Sequence, residues 1–357
     1  MPIYKLKERL ALEEGGYLDS AKIEYEITGK PNRDGSNVII ICHTLTGNID
    51  VVSSKLWTFV GSEQTIDTNQ YCVISLGTLG GLTKSTGPKT EHKTGEIYGP
   101  DFPTVTVTDS VRAHIDVLKS LGIKQAKAVI GGSYGGFCAY TWIALKPKFF
   151  KLAVIFQSGL CCSAHTIALF SLCRDLIVSS PHWKGGHYTE KDLGKLYQYK
   201  QMIAVNRLFQ LNYCKFEEKF SRSYRTRTLK RKAKYWEPHS IIDDYITSQP
   251  SAISGIDPNT MLSTLSSSSL FDIERSFPDI WTRWEKLSTT VLQVPCRQDW
   301  RYPIEEMSET HEKMRAIGVN TYYQPTESKW GHGSYLYDPA SLKQVLPLIT
   351  RLLKEYE

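Results

Sequence analysis

Three residue types that together can activate a hydroxyl group occur in this chain, in the order serine, aspartate, histidine. The serine is Ser133, in the segment "VIGGSYGGFCAY". A serine hydroxyl is a weak nucleophile until a base removes its proton, and the base in turn needs an orienting carboxylate. His332 in "SKWGHGSYL" is the candidate base and Asp299 in "VLQVPCRQDWRYP" the candidate acid. This chemistry would transfer an acyl group through a covalent acyl-serine.

The glycines around Ser133 indicate how the serine is presented. Gly131 and Gly135 complete the pattern G-x-S-x-G, after an apolar run typical of a strand and before a helix-like stretch. In that context the serine occupies a strained strand-to-helix turn, and positions two before and two after it must be small. The alternative is a glycine-rich helix start that packs closely or binds phosphate.

The positions of the other two residues support their roles. His332 follows the last predicted strand and precedes the final helix, and it is the one histidine of nine in such a place. Asp299 follows the preceding late strand. Glu305 and Glu306 remain alternative acids.

Acyl transfer also requires donors for the oxyanion that develops on the carbonyl oxygen. We expect one donor to be the backbone N–H of Tyr134, directly after the nucleophile. The other should come from Leu45 in "HTLTGN", the loop after the first buried strand. We interpret His43 in this loop as a packed residue that shapes the turn.

Short β-branched runs alternate with helical stretches in the first half of the chain. Continuous apolar runs bounded by turn residues are typical of strands covered on both faces of a parallel sheet, and a helix is predicted within 104–123. The predicted strands are 37–43, 71–76, 125–132 and 151–159. This alternation indicates an α/β fold with right-handed crossovers.

The middle of the chain has a different character. Residues 164–280 are rich in helix formers and serine and lack strand-like runs, which predicts a helical insertion. Strand patterns return at 289–295 and 321–325, with a helix over 307–320 between them and one amphipathic helix over 338–357 at the end. The expected organisation is a core of 1–163 and 281–357 interrupted by a helical lid.

Composition limits the functional classes. The chain has 357 residues and a net charge of +6, with a basic run at 222–234. We interpret that run as a solvated face, or as a docking site for an anionic ligand. Because no recognition motif accompanies it, we do not expect nucleic-acid binding. The eight cysteines show no metal-ligand spacing, and no signal or membrane segment is evident, so a cytoplasmic protein that binds no membrane is expected.

Several longer stretches resemble the homoserine O-acetyltransferase family of the α/β-hydrolase superfamily. They include "CHTLTGN", "IDTNQYCVISLGTLGG", "TGEIYGPDFPTVTVTDSVRAHIDVLKSLGI", "VIGGSYGG" and "SAHTIALFSLCRDLI". The resemblance implies a mostly parallel sheet with helices on both faces, a helical lid and a homodimer formed through lid helices. It also implies acetyl-CoA as co-substrate, with no bound cofactor or metal.

The resemblance assigns roles residue by residue. Ser133, Asp299 and His332 become the catalytic triad, and Leu45 and Tyr134 line the oxyanion hole. Arg174 in "SLCRDLI" matches the arginine that holds the substrate's carboxylate, a task that a planar guanidinium suits; the alternative is a surface salt bridge.

The chain departs from the family at informative places. The family has aspartate after its catalytic histidine, whereas this chain has Gly333, so a partner for a substrate ammonium group is missing. Tyr134 replaces the usual methionine, and "IAVNRLFQLNY" replaces a lid segment. We therefore expect an O-acyltransferase whose alcohol acceptor is not homoserine, such as a secondary-metabolite hydroxyl. A hydrolase using the same triad and a non-catalytic scaffold remain alternatives.

Overall fold

A computed structural model describes residues 1–92, 94–196, 202, 205–206, 208–221, 242 and 256–356. Its centre is an eight-stranded sheet. The strands in chain order are β1 (Ile3–Lys5), β2 (Lys22–Thr28), β3 (Val38–Cys42), β4 (Cys72–Leu76), β5 (Ala126–Gly132), β6 (Phe150–Phe156), β7 (Thr290–Val294) and β8 (Thr321–Tyr323). Two further pairs of two-residue strands, Leu10–Ala11 with Tyr17–Leu18 and Val60–Gly61 with Ile66–Asp67, lie outside it.

The strand order in the sheet is β1-β2-β4-β3-β5-β6-β7-β8. β2 pairs antiparallel with both of its neighbours, β1 and β4. All the other neighbouring pairs, from β4 to β8, are parallel. This is the α/β-hydrolase architecture that the resemblance implied. Because parallel strands end at the same edge of a sheet, the loops after β3, β5, β7 and β8 meet there.

Helices cover the sheet on both faces. The longer ones are α1 (Val107–Ser120), α2 (Tyr134–Leu145), α3 (Ala164–Val178), α6 (Pro258–Ser269), α9 (Ile304–Ala316) and α12 (Leu346–Lys354). The shorter ones are α4 (Glu190–Leu193), α5 (Tyr213–Phe220), α7 (Ile273–Ser276), α8 (Ile280–Trp284), α10 (Ser334–Tyr337) and α11 (Pro339–Lys343), with 3₁₀ turns at Gly99–Asp101 and Lys184–Gly186.

The residues of β3 show why this segment becomes a central strand. Val38 and Ile40 pack into the core beneath α1 and α2, whereas Ile39 and Ile41 pack into the core beneath α12. All four are fully buried. A strand buried on both faces requires a continuous apolar run, and the sequence predicts one here.

The described part of 164–280 contains helices, turns and loops but no strand, apart from an isolated β-bridge of Asp272 with Cys161. In the chain this segment lies between β6 and β7. The basic run at 222–234 lies outside the described residues. No helix among the described residues is long and apolar enough to cross a membrane.

The prediction of one continuous helix over 338–357 is wrong. The described residues from 338 onward form two helices, α11 and α12, with Gln344 and Val345 between them. Pro347 lies in the first turn of α12, where its missing N–H needs no partner. The amphipathic pattern continues through this break and therefore does not reveal it.

Candidate active site

Ser133 lies at the turn between β5 and α2 in a conformation that L residues rarely adopt. Its φ is 56° and its ψ is −124°. A non-glycine residue at positive φ is strained and is held by the surrounding structure, a feature that concentrates at functional sites. Its backbone N–H donates to Phe156 O at 3.0 Å, and Ser158 Oγ donates to its carbonyl at 2.8 Å.

The flanking glycines are required by close backbone approach, as the sequence predicts. A Cβ on Gly131 would lie 2.0 Å from the carbonyl oxygen of Gly135. A Cβ on Gly135 would lie 2.2 Å from the carbonyl oxygen of Cys42. Both obstacles are backbone atoms, which have no alternative rotamer.

The structure brings the side chains of Ser133, His332 and Asp299 together. His332 Nε2 lies 2.8 Å from Ser133 Oγ, and His332 Nδ1 lies 2.8 Å from Asp299 Oδ2. The second contact fixes the tautomer: Nδ1 donates to the carboxylate and Nε2 faces the hydroxyl as an acceptor. This arrangement can act as nucleophile, base and orienting acid.

Asp299 is held by its other oxygen. Its Oδ1 accepts hydrogen bonds from the backbone N–H groups of Arg301 at 2.8 Å and Tyr302 at 3.2 Å. The carboxylate is fully buried, and the ring of Tyr302 lies 5.5 Å from that of His332. No hydrogen bond or ion pair joins His332 to Glu305 or Glu306 within the described residues, although both lie in the first turn of α9.

The expected oxyanion donors lie beside the serine. Leu45 lines the same cavity of about 50 Å³ as Ser133, and Tyr134 is the first residue of α2. Within the described residues, neither backbone N–H donates a hydrogen bond, and the first N–H groups of a helix have no intrahelical acceptor. His43 is buried in the loop after β3, and its burial lowers its pKa.

Arg174 does not reach this cavity. Its side chain is exposed on α3, and its guanidinium pairs with the neighbouring Asp175 at 3.0–3.1 Å. Arg174 is not in the cavity as expected, because its position on α3 faces away from the core. The placement matches the surface salt bridge that the sequence left as the alternative.

Arg301 is a residue of this cavity that the sequence reasoning missed. It is 5% exposed and lines the cavity with Ser133 and His332. One guanidinium nitrogen donates to Asn206, but its Nε has no partner, and Arg301 forms no ion pair within the described residues. Desolvation lowers its pKa. The sequence could have indicated Arg301 as a site residue, because it lies only two residues after Asp299.

Gln157 was also missed. It follows β6 at a φ of 44°, is buried, and its side-chain amide bonds to the loop on both sides of His332. Nothing in the local sequence pattern indicates this contact, since the two segments are far apart in the chain.

Residues of the insertion contact the same loops. The backbone N–H of His332 donates to Gln210 O at 3.0 Å, and Asn206 and Gln210 line the cavity. The twelve described lining residues include no aspartate or glutamate. They are Thr44, Leu45, Thr46, Ser133, Asn206, Gln210, Arg301, His332, Gly333, Tyr335, Leu336 and Tyr337.

Comparison with solved structures supports the fold. A homoserine O-acetyltransferase from Bacillus anthracis superposes with a TM-score of 0.87 at 24% identity, covering 99% of this chain and 96% of that one. The esterase E22 superposes with a TM-score of 0.86 at 21% identity, covering 99% of each chain.

Sequence comparison shows the family. A family model described as alpha/beta hydrolase fold matches residues 37–238. A homoserine O-acetyltransferase from Methanococcus vannielii is 31% identical over 96% of this chain and 71% of its own length. A homoserine O-succinyltransferase from Hahella chejuensis is 32% identical over 92% of this chain and 88% of its own length. The chain is therefore a diverged member of the homoserine O-acetyltransferase family within the α/β-hydrolase superfamily.

Proposed function

We propose that this protein is a serine-dependent O-acyltransferase that moves a short acyl group from a coenzyme A thioester to an alcohol. The observation that carries the proposal is the continuous hydrogen-bonded path from Ser133 through His332 to Asp299. The strained turn under Ser133 adds support, because it points the hydroxyl away from the sheet into the cavity.

The reaction has two halves. His332 Nε2 takes the proton of Ser133 as Oγ attacks the thioester carbonyl, and Asp299 stabilises the imidazolium. The N–H groups of Leu45 and Tyr134 receive the oxyanion, and the thiol leaves with the proton from His332. The acceptor hydroxyl then gives its proton to His332 as it attacks the acyl-serine, and His332 returns that proton to Ser133 Oγ as the ester is released.

Arg301 bears on which acyl group the donor carries. Arg301 is a buried cation that lines the cavity; its Nε has no hydrogen-bond partner, and it forms no ion pair with a carboxylate among the described residues, although the charge of Asp299 acts to raise its pKa. A buried charge without a partner is costly, so a ligand carboxylate would be bound strongly there. We propose that an acyl group ending in a carboxylate, as in succinyl-CoA, is a better donor than acetyl-CoA. The name of the relative from Hahella chejuensis agrees with this choice.

The acceptor follows from the same cavity. The described lining holds no carboxylate that would pair with an ammonium group. A site lacking that partner gains little from a free amino acid. We therefore propose an alcohol without a neighbouring ammonium group, and not homoserine.

We further propose that 164–280 acts as a lid and that two copies associate through its helices. Asn206 and Gln210 reach the cavity, which supports the lid. Ile167 and Leu172 on α3 are apolar yet 37% and 54% exposed, which supports a partner surface. Light scattering of Leu172→Asp tests the association: we expect a monomer where the unmodified chain is a dimer, and a monomeric unmodified chain contradicts it.

The central experiment follows the acyl-enzyme by intact-protein mass spectrometry. Acetyl-CoA and succinyl-CoA are each added without an alcohol, to the unmodified chain and to Ser133→Ala. We expect a mass increase of one acyl group that Ser133→Ala abolishes, with the fold retained because alanine is small enough for the turn.

A panel of alcohols that includes homoserine and serine then identifies the acceptor. Stoichiometric free acid without any alcohol indicates a hydrolase, the activity in the name of esterase E22, and contradicts acyl transfer. An unmodified mass with both donors contradicts the thioester donors, and a persistent adduct in Ser133→Ala contradicts the nucleophile.

A further inference from the structure

A second cavity lies far from Ser133, where the C-terminal ends of α1 and α2 meet. Its volume is about 540 Å³, against about 50 Å³ for the cavity at Ser133. Ser133 directly precedes α2, and Leu145 at the far end of that helix lines the second cavity. Twelve residues at 1.5 Å per residue separate the two by about 18 Å. The second cavity is therefore independent of the proposed acyl transfer.

The walls of this cavity are mostly apolar. Its volume falls within the roughly 300–1,000 Å³ of small-molecule sites, which combine an apolar lining with a few polar groups. Leu118 and Trp142 are almost fully buried in its floor, and the indole N–H of Trp142 has no hydrogen-bond partner. The apolar lining consists of Ile115, Leu118, Ile123, Trp142, Leu145, Pro147 and Phe149.

The charged groups of the lining all have one sign. They are four lysines, Lys119, Lys124, Lys146 and Lys148, and no acid lines the cavity. Lys119 pairs with Asp116 at 3.1 Å. The other three form no ion pair within the described part of the chain, so their charges are available to a ligand. Lysine stems lie along apolar surface while the ammonium groups remain in water.

We propose that this cavity binds a free fatty acid, with the alkyl chain against Leu118 and Trp142 and the carboxylate among Lys124, Lys146 and Lys148. Charge complementarity selects the anionic head, because three of the lysines that line the cavity form no ion pair within the described residues. The apolar wall selects the alkyl chain. The apolar wall alone would equally suit a neutral long-chain alcohol, and the lysines alone would equally suit a small anion. Of the three, only a fatty acid uses both features.

The test measures binding of octanoate, decanoate and dodecanoate by isothermal titration calorimetry below their micellar concentrations. We expect affinity to rise about threefold to fourfold per added methylene, the factor that burying one methylene group gives. Dodecanol should bind at least roughly tenfold more weakly than dodecanoate, the factor for losing one charged hydrogen bond. Equal binding of the two, or no binding of dodecanoate, overturns the proposal.

Paired variants locate the site. Lys146→Gln combined with Lys148→Gln should weaken dodecanoate about tenfold and leave dodecanol unchanged. Ile115→Trp, which fills the cavity from α1, should weaken both. The matched control is Lys343→Gln with Lys354→Gln, two exposed lysines away from the cavity, which should change neither.

Two further readouts complete the test. A diazirine analogue of dodecanoate should label peptides that contain Trp142 or Phe149, and labelling confined to other peptides overturns the assignment. Vesicles of phosphatidylglycerol distinguish a lipid surface from a free ligand. If they bind the protein and dodecanoate does not, a membrane contact replaces the proposed site.

Discussion

Gln157 Oε1 accepts a hydrogen bond of 2.7 Å from the backbone N–H of Gly333, the residue directly after His332. The other end of the same amide donates to Gly331 O at 3.1 Å and to Ser334 Oγ at 2.9 Å. One buried side chain thus holds the histidine loop on both sides, and it connects the loop to the end of β6.

We expect Gln157→Glu to misplace His332. The substitution keeps the acceptor for Gly333 but replaces the donor with an oxygen facing Gly331 O and Ser334 Oγ. A buried acceptor facing an unpaired carbonyl costs about 1–3 kcal/mol. Steady-state kinetics should show kcat lower by at least about tenfold with KM for the thioester little changed.

Gln157→Ala provides the comparison, since it removes the whole contact and leaves space. It should lower both kcat and the melting temperature. If kcat stays at the unmodified level in both variants, Gln157 has no role in positioning His332.

Arg301 should decide between acyl donors. We expect Arg301→Leu to lower kcat/KM for succinyl-CoA about 10- to 150-fold, since a hydrogen bond to a charged group contributes about 1.5–3 kcal/mol. The value for acetyl-CoA should change little, because acetyl carries no carboxylate.

Arg174→Leu is the matched control. Its guanidinium is exposed and pairs only with its neighbour Asp175 among the described residues, so both donors should react as before. An equal loss for both donors in Arg301→Leu contradicts selection by charge, and a donor-specific loss in Arg174→Leu returns the role to that residue.

The glycines of the serine turn should be intolerant of a single methyl group. We expect Gly135→Ala to destabilise the fold by more than about 3 kcal/mol, beyond ordinary overpacking, because its Cβ meets the backbone of Cys42. Gly194→Ala is the control: its Cβ would lie 3.9 Å from its nearest neighbour. Urea unfolding measures both, and similar free energies of unfolding would contradict the steric explanation.

His114 should make the fold less stable in mild acid. Burial lowers its pKa from 6.5 to about 4, so the unfolded chain binds its proton first as the pH falls. The stabilisation is complete above pH 6.5 and is lost progressively down to about pH 4, by about 3 kcal/mol in total. His114 Nε2 lies 3.1 Å from Gly77 O. His114→Gln keeps a donor for this carbonyl and should flatten the pH dependence. Unfolding free energies at pH 7, 5.5 and 4 test it, and parallel curves for the two proteins contradict it.

Much of this arrangement was accessible from the sequence because it depends on local patterns. β3, β4 and β5 lie within the predicted strands, and β6 begins one residue before its predicted strand, since double-sided burial requires continuous apolar runs. The contact of Ser133 with His332 could be predicted because chain order and loop position restrict the histidines that could act as the base.

The remaining features depend on contacts between distant segments. Gln157 meets Gly333 only once β6 and the loop after β8 are placed beside each other. Arg301 looks like a surface residue in "DWRYP" until the insertion covers it through Asn206. β1 is an edge strand in which Ile3 and Lys5 are exposed, and β2 is only partly buried. Neither strand therefore needs a continuous apolar run, and neither carries one.

The pairing of β6 with β7 has an evolutionary consequence. Leu152 pairs with Thr290 in a regular parallel ladder although the whole segment 164–280 lies between the two strands. Closing a long excursion costs only logarithmically more than closing a short one. Such a scaffold tolerates segments of very different length at this junction, while the turn between β5 and α2 that carries Ser133 keeps its geometry.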